Sequence, residues 1–293
     1  MHVDQPGLID FEQEYEMDIL RYGERKVREV GDDKERVLEL GAGMLKYSYF
    51  TIFGEVLWVA ESLGFDWNEA IDILEASAGS SSILKDGRVR IREREWEADG
   101  VMATQEALDE LGKAQEYAAA DDFRIPLCVM VCQNVRYMNF SKKYKTFAGY
   151  ATVGMLERWI GKTPEDYQPV DEDKKEEYAK ALCNMLIGTT TYIAAEAVKF
   201  CLHYGVDEEA LVNTLVENNC ATGYLSDLLD GTLENDITIG ELKDSLSIAI
   251  KQAKDNNFFV AVLTNAYQLL NGDDPDRDYD DDAPLGSIVT DQL

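Results

Sequence analysis

An internal repeat with a fixed register constrains this chain more than any other feature. Residues 55–66, Glu-x8-Gly-Phe-Asp, reappear at residues 196–207 as Glu-x8-Gly-Val-Asp. The same register continues into the next segment, where Leu74 corresponds to Leu215. With about seven extra residues in the first half, residues 109–111 then correspond to residues 243–245. Self-similarity of this kind indicates two copies of one unit of roughly 110 to 120 residues.

The repeated segments have the apolar spacing of helices. Residues 34–63 and 180–207 are apolar on all sides and contain no proline, which predicts two long, central, buried helices. Gly205 stands where a helix commonly ends in a left-handed residue. Shorter helices are predicted at residues 8–30, 67–76, 102–122, 126–140, 149–160, 208–217, 224–229, 239–255 and 258–270.

These elements predict an all-α protein with two tandem helical units in a pseudo-two-fold arrangement. Residues 1–30 form an N-terminal helical arm, 31–150 the first unit, 151–272 the second unit and 273–293 an acidic tail. Seven of the ten residues from Asp273 to Asp282 are aspartate, so we expect this tail to be disordered. Deleting it from Asp276 onward is then expected to leave the melting temperature nearly unchanged.

Glycines inside the first long helix predict a close helix–helix contact. Gly41, Gly43 and Gly54 each cost up to about 1 kcal/mol relative to alanine, so a packing reason is expected for them. The Gly41-Ala42-Gly43 sequence is not a dinucleotide-binding loop, because no strand precedes it and the third glycine is missing.

The net charge indicates which kinds of partner the chain is not expected to bind. The chain has 57 acidic and 28 basic residues and a formal charge of -29, which disfavours nucleic acid and anionic membrane as partners. One stretch is basic: Arg88, Arg90, Arg92 and Arg94 alternate with other residues, so an extended arm would carry four arginines on one face. This stripe could bind an anionic ligand or an acidic surface of a partner, or could pair with the protein's own carboxylates.

The cysteines, the histidine spacing and the hydropathy predict the cellular compartment of the protein and whether it binds a metal ion. Five cysteines, an odd number without a CxxC pair, indicate reduced core thiols of a cytoplasmic protein. The sequence offers no metal site, because His203 lies seven residues after Glu196, which is too far along a helix for a ligand pair. Neither a run of eighteen apolar residues nor a signal-peptide core is found.

Two polar residues stand near the start of the second long helix, which is otherwise apolar. Lys180 and Asn184 are four residues apart and therefore share one helical face. A cation beside an amide on an otherwise apolar helix suggests a binding or catalytic site. The alternative is that both residues line the solvated face of the helix.

Lys180-x3-Asn184, Glu196-x8-Gly-Val-Asp and Lys243-Asp together resemble the all-helical C-terminal domain of the beta-hydroxyacid dehydrogenases. That family includes 3-hydroxyisobutyrate dehydrogenase and, more distantly, 6-phosphogluconate dehydrogenase. The resemblance covers about residues 172–272 well and about 32–140 weakly. It implies that Lys180 is a catalytic acid/base, that Asn184 binds substrate and that Lys243 approaches the cofactor and active site. The three side chains are then expected to converge on one cleft, with Lys180 partly buried.

The sequence also departs from the family pattern. No strand followed by GxGxxG is found, and residues 1–31 are too few for a βαβ unit, so no dinucleotide-binding domain is expected here. In the first copy, Glu39, Gly43 and Asp109 stand where the second copy has its lysine, asparagine and second lysine. The first copy therefore resembles a degenerate partner that replaces the second subunit of a dehydrogenase dimer.

Two functions follow from this pattern. In the first, the chain is an oxidoreductase-related enzyme or subunit that acts on a small anionic hydroxy- or oxo-acid, with NAD(P) held by a separate nucleotide-binding chain. In the second, it is a non-redox binding or assembly subunit that kept the helical scaffold, since fold does not fix function. A second copy of the chain is a further expected partner.

Overall fold

The computed structural model describes residues 33–82, 84, 104–140, 169–217, 220–234, 236–273 and 279–291. Within these ranges the secondary structure is helical apart from two isolated β-bridges, so the all-α prediction is confirmed. The predicted arm at residues 1–30, the arginine stripe at residues 88–94 and the predicted helix at residues 149–160 lie outside the described residues.

The helices follow the predicted segments closely. The long second helix begins at Lys175, earlier than predicted, and ends at His203; the last predicted helix begins at Ala261 and continues into a π-helical turn at Leu269–Asp273. In chain order the helices are α1 (Lys34–Ser62), α2 (Trp67–Ala76), α3 (Thr104–Ala120), α4 (Pro126–Phe140), α5 (Lys175–His203), α6 (Glu208–Glu217), α7 (Gly223–Leu229), α8 (Ile239–Asp255), α9 (Ala261–Gln268) and α10 (Ser287–Thr290).

Short polar side chains begin several of these helices. Asp33 accepts the Arg36 backbone N–H at the start of α1, and Asp66 accepts the N–H of Asn68 at the start of α2. Thr238 begins α8 with a reciprocal capping box. Each cap satisfies a backbone donor that has no partner within the helix, which stabilises a helix by about 1 kcal/mol.

The core is built on α1 and α5, which make the most extensive helix–helix contact in the described part of the chain. The two helices run antiparallel, because Gly41 near the start of α1 lies against Cys201 near the end of α5. A Cβ atom at Gly41 would overlap the Cys201 sulfur, so glycine is needed for the close approach. The sequence-based expectation of a packing reason is confirmed at this glycine.

The second long helix also has the length and composition of a membrane span. Residues Glu172–His203 are the one helical segment in the described ranges that passes this test. However, 89% of its most apolar window is buried inside the protein, as expected of a core helix. α1 is buried over most of its length as well, so the prediction of two central helices is confirmed.

Equivalent turns recur in the two halves of the chain. Gly64 and Gly205, which occupy equivalent positions in the sequence repeat, both have positive φ and end α1 and α5. Asp122 and Asn257 both have φ of 55° and end the turns after α3 and α8. The residue after each of these two closes a matching backbone hydrogen bond, of 2.7 Å from Phe123 and 2.9 Å from Phe258.

Two equivalent loops also contact each other. Ser81 and Thr222, which correspond in the same register as Gly64 and Gly205, form an isolated antiparallel β-bridge. The backbone N–H of Gly223 donates to Ser80 at 3.0 Å, and that of Tyr224 donates to Ala78 at 2.7 Å.

The structure contradicts the expectation of a disordered tail for residues 279–291. Three backbone hydrogen bonds of 2.7 to 3.0 Å join residues 281–285 to residues 237–240. Leu285, Ile288 and Val289 are buried, and α10 packs against α5. The aspartates dominate the composition of this segment, but three aliphatic side chains bury enough apolar surface to hold it in place.

The Gly41–Cys201 contact predicts opposite effects for two glycine substitutions. Gly41→Ala should destabilise the protein by about 1 to 3 kcal/mol, because the added methyl overlaps the Cys201 sulfur. Gly112→Ala in α3 is the matched control: its Cβ meets no atom within 4 Å, and alanine there should stabilise by about 0.5 to 1 kcal/mol. Urea denaturation of both variants checks this, and equal stabilisation of the two would contradict the packing account.

The docked C-terminal segment makes a second prediction. Ile288→Ala should cost about 2 to 4 kcal/mol, because it leaves a cavity where a fully buried side chain packs. The melting temperature should therefore fall by several degrees. Thr290→Ala, at an exposed position of the same short helix, should change stability by less than about 0.5 kcal/mol. Indistinguishable melting temperatures for Ile288→Ala and the wild type would contradict the docking of residues 279–291.

Candidate functional site

Lys180 and Asn184 both reach from α5 toward α8. The Lys180 ammonium binds the Glu241 carboxylate at 2.8 Å, and the Asn184 amide donates to the Ser245 hydroxyl at 3.4 Å. Glu241 and Ser245 are one helical turn apart, so the two contacts tie the same pair of helices together. Asn184 is buried, which rules out a solvated position for it. The expected partial burial of Lys180 is wrong, because 64% of its side chain is exposed.

The Lys180–Glu241 contact has a clear electrostatic effect on the acid. The hydrogen bond from Lys180, followed by that from the Thr238 backbone, holds the pKa of Glu241 below its usual value. Glu241 also belongs to the capping box that begins α8. The carboxylate therefore serves the helix start and the lysine at once.

Lys243 makes a different set of contacts. It follows Glu241 by two residues on α8, a spacing that places the two on different faces of the helix. The Lys243 ammonium binds the Asp281 carboxylate at 2.6 Å and the Tyr279 carbonyl at 3.3 Å, and only 15% of its side chain is exposed. The hydrogen bonds therefore place the three predicted residues in two separate groups, and do not show the single group that was expected.

The matched turns correct the alignment of the first copy. With Asp122 equivalent to Asn257, α3 corresponds to α8 in a register that pairs Lys243 with Leu108 and not with Asp109. The sequence pattern misplaced this register by one position, because the location of the extra residues between the two halves is not marked in the sequence.

The first copy has its own polar contacts at the equivalent place. Glu106 occupies the position that Glu241 has in the second copy, and the Tyr47 hydroxyl donates to it at 2.7 Å. Arg36 binds Glu110 one turn further along α3 at 2.8 Å. The first copy thus joins α1 to α3 with different residues from those that join α5 to α8.

A buried glutamate on α1 caps a helix of the other half of the chain. Glu55 is 1% exposed, and its carboxylate accepts the backbone N–H groups of Val262 and Leu263 at 3.1 and 2.9 Å. These residues lie in the first turn of α9. The Asn134 amide adds a third donor at 3.2 Å.

Glu196 on α5 makes the reciprocal contact. It is 6% exposed and accepts the backbone N–H groups of Leu127 and Cys128 at 2.7 and 2.8 Å, in the first turn of α4. Each long helix therefore provides a carboxylate that caps a helix start in the opposite half. Such carboxylates satisfy donors that lack intrahelical partners and lie at the positive end of the helix dipole.

Burial changes the titration of groups in these two caps. Desolvation raises the pKa of Glu55 to about 7, although the hydrogen bonds from α9 and Asn134 oppose the shift. Burial, with a smaller contribution from the Glu196 charge, raises the pKa of the Cys128 thiol. Cys128 is therefore a neutral core thiol, in agreement with the sequence-based interpretation.

The sequence pattern contains a signal for these glutamates beyond their place in the repeat. An acidic residue at the same register on two all-round apolar helices predicts a buried carboxylate with a specific partner. Which helix start supplies the donors is decided by tertiary packing, because the partners lie 68 or more residues away in sequence.

A small cavity lies between the central helices and the loop before α7. It has room for about one water molecule, far less than the roughly 300 Å³ or more of a ligand pocket. The buried Ser48 hydroxyl, which finds no hydrogen-bond partner among the described residues, is part of its lining. Among the described residues no group of three or more acidic, cysteine or histidine side chains could hold a metal ion.

Comparisons with family models, with curated proteins and with solved structures found no match for this chain.

The raised pKa of Glu55 predicts how stability depends on pH. The folded state keeps the Glu55 proton up to about pH 7, whereas the unfolded chain releases it near its usual value of 4.5. The folded state therefore binds more protons between these values, and stability falls as pH rises through that window. The full difference is about 3 kcal/mol. Urea denaturation from pH 4.5 to 8 should show this fall in the wild type and not in Glu55→Gln.

The matched control is Glu35→Gln, which removes an exposed carboxylate from the same helix. Its pH dependence should run parallel to that of the wild type, because this substitution leaves the buried Glu55 side chain and its contacts in place. Parallel pH profiles for the wild type and Glu55→Gln would contradict the raised pKa.

Proposed function

We propose that this chain is a non-redox binding or assembly protein built as a fused pseudo-dimer of one helical unit. The observation that carries the functional part is that another residue of the same chain already binds each predicted catalytic side chain. Lys180 is held by Glu241, and Asn184 is held by Ser245. Lys243 is held by Asp281 of the C-terminal segment.

Three kinds of matched contact support the two-unit architecture. Equivalent left-handed turns recur after α1 and α5, and again after α3 and α8. The Ser81–Thr222 bridge pairs two equivalent residues with each other. The Glu55 and Glu196 caps follow the same correspondence between the copies and cross between the halves. An exchange of equal contacts between two copies is the pattern of a two-fold dimer interface, here within one chain.

The position of Lys180 weighs against acid/base chemistry. An acid/base lysine generally needs a neighbouring positive charge or burial to lose its proton near neutral pH. Lys180 has neither feature, because it is mostly exposed and its ammonium binds a carboxylate. Its contact with Glu241 is an ordinary surface ion pair that contributes about 0 to 1 kcal/mol.

A dehydrogenase-related activity is the second candidate. The side-by-side placement of Lys180 and Asn184, with the amide buried and both facing α8, favours it. In that case a separate nucleotide-binding chain would hold NAD(P), and a small hydroxy- or oxo-acid would displace Glu241 from Lys180.

Turnover measurements distinguish the two candidates. Purified full-length chain, alone and with any co-purifying protein, is titrated with NADH and NADPH and assayed with a panel of small β-hydroxy acids. We expect no reduction of NAD(P)⁺ above the level of Lys180→Ala, which loses only a surface ion pair and so stays folded. Activity that is present in the wild type and lost in folded Lys180→Ala would establish the enzyme.

A further inference from the structure

Residues 279–291 are held by the rest of the chain as a bound peptide is held. Residues 281–285 pair with residues 237–240 through three backbone hydrogen bonds of 2.7 to 3.0 Å. Thr238 and Pro284 form an isolated antiparallel bridge within this pairing. Backbone pairing of an extended segment provides affinity, while pockets for its side chains provide sequence selectivity.

The segment lies in a groove formed by residues 236–243, Leu228 and α5. Polar side chains of this groove contact the segment at two positions. The largely buried Lys243 ammonium binds the Asp281 carboxylate at 2.6 Å and the Tyr279 carbonyl at 3.3 Å. The Asp281 side chain is 68% exposed, so the lysine belongs to the groove and the aspartate approaches it from the outside. Further along, the Asp236 carboxylate accepts the Gly286 N–H at 3.2 Å.

The apolar part of the groove selects by size. Leu285, Ile288 and Val289 are buried. A Cβ atom at Gly286 would lie 2.6 Å from Leu228 Cδ1 and 3.0 Å from Asp236 Oδ2, so a side chain there would require both of these groups to move. The groove therefore favours the pattern Asp-x3-Leu-Gly-x-Ile-Val, with a carboxylate at one end and aliphatic side chains at the other.

We propose that this groove is a recognition site for an extended acidic–aliphatic peptide of a partner protein, and that residues 279–291 occupy it in cis. The inference rests on the proposed binding or assembly function and names the chemistry of the partner. The aspartate places a negative charge on Lys243, and the Leu-Gly-x-Ile-Val part fills the apolar positions.

The cis segment then sets how easily a partner enters. A tethered ligand competes at an effective concentration in the millimolar range. A partner peptide with the same contacts therefore binds the wild-type chain weakly and binds tightly once the cis segment is prevented from docking. The difference in peptide affinity distinguishes two roles of residues 279–291. If the segment is a competing ligand, releasing it frees the groove for the peptide. If the segment is only part of the core, the groove does not fold without it and binds no peptide.

The first experiment uses a fluorescein-labelled peptide of residues 277–291 and full-length chains. In Ile288→Asp/Val289→Asp the cis segment cannot re-enter the apolar groove, and circular dichroism checks that the rest remains helical. We expect saturable binding by fluorescence anisotropy, at least roughly ten-fold tighter than for the wild type. Peptides carrying Gly286→Val or Asp281→Asn are the matched controls and should bind at least about ten-fold more weakly, as should the double variant with Lys243→Ala added.

A second measurement keeps the test decisive if the double variant does not fold. Hydrogen exchange of the wild-type chain is followed with and without a large excess of unlabelled peptide. We expect faster exchange at the backbone amides of Leu285 and Gly286, because displacement exposes their N–H groups, with unchanged exchange in α1 and α5. Unchanged exchange at these two amides would overturn the proposal.

Other outcomes overturn the proposal in different ways. A folded double variant that binds no peptide, or that binds the Gly286→Val peptide equally well, shows that the groove does not select this pattern. Wild-type dimers that excess peptide dissociates would assign the groove to the C-terminal segment of a second copy instead. None of these results depends on NAD(P) turnover, so failure here is distinguishable from failure of the proposed function.

Discussion

A buried carboxylate must be supplied with hydrogen-bond donors, and in this protein the donors for each one come from the opposite half of the chain. Glu55 and Glu196 lie near the ends of the two central helices and cap the starts of α9 and α4. Leaving such a group unpaired in the core costs several kcal/mol. The caps therefore do more than stabilise the starts of two helices, because they make the correct docking of the halves a condition for burying α1 and α5.

The polar contacts between the two halves match each other more closely than the polar contacts within each half. The contacts that cross between halves keep equivalent positions, as the glutamate caps and the Ser81–Thr222 bridge show. The contacts within each half differ: α5 and α8 are joined through Lys180 and Glu241, whereas α1 and α3 are joined through Tyr47 and Glu106. Polar contacts near the surface tolerate replacement more readily than buried ones, since water can satisfy exposed groups.

The C-terminal segment shows how composition can mislead. Its many aspartates predict disorder, because charge repulsion opposes collapse. Yet three aliphatic residues after the acidic run are enough to dock it, and one aspartate finds the largely buried Lys243. Average composition describes a whole segment, whereas docking depends on a few side chains that meet a groove formed by distant residues.

The sequence alone determined the all-α class, the positions of most helices and the repeat, because helical periodicity, capping residues and self-similarity are local properties of the chain. It also marked Lys180 and Asn184 as neighbours on one face. Tertiary structure alone decided that Lys180 is exposed and paired with Glu241, that Lys243 faces the C-terminal segment, and that two glutamates cap helices in opposite halves. The physical reason is that burial and hydrogen-bond partners depend on contacts between residues far apart in sequence, which no local pattern specifies.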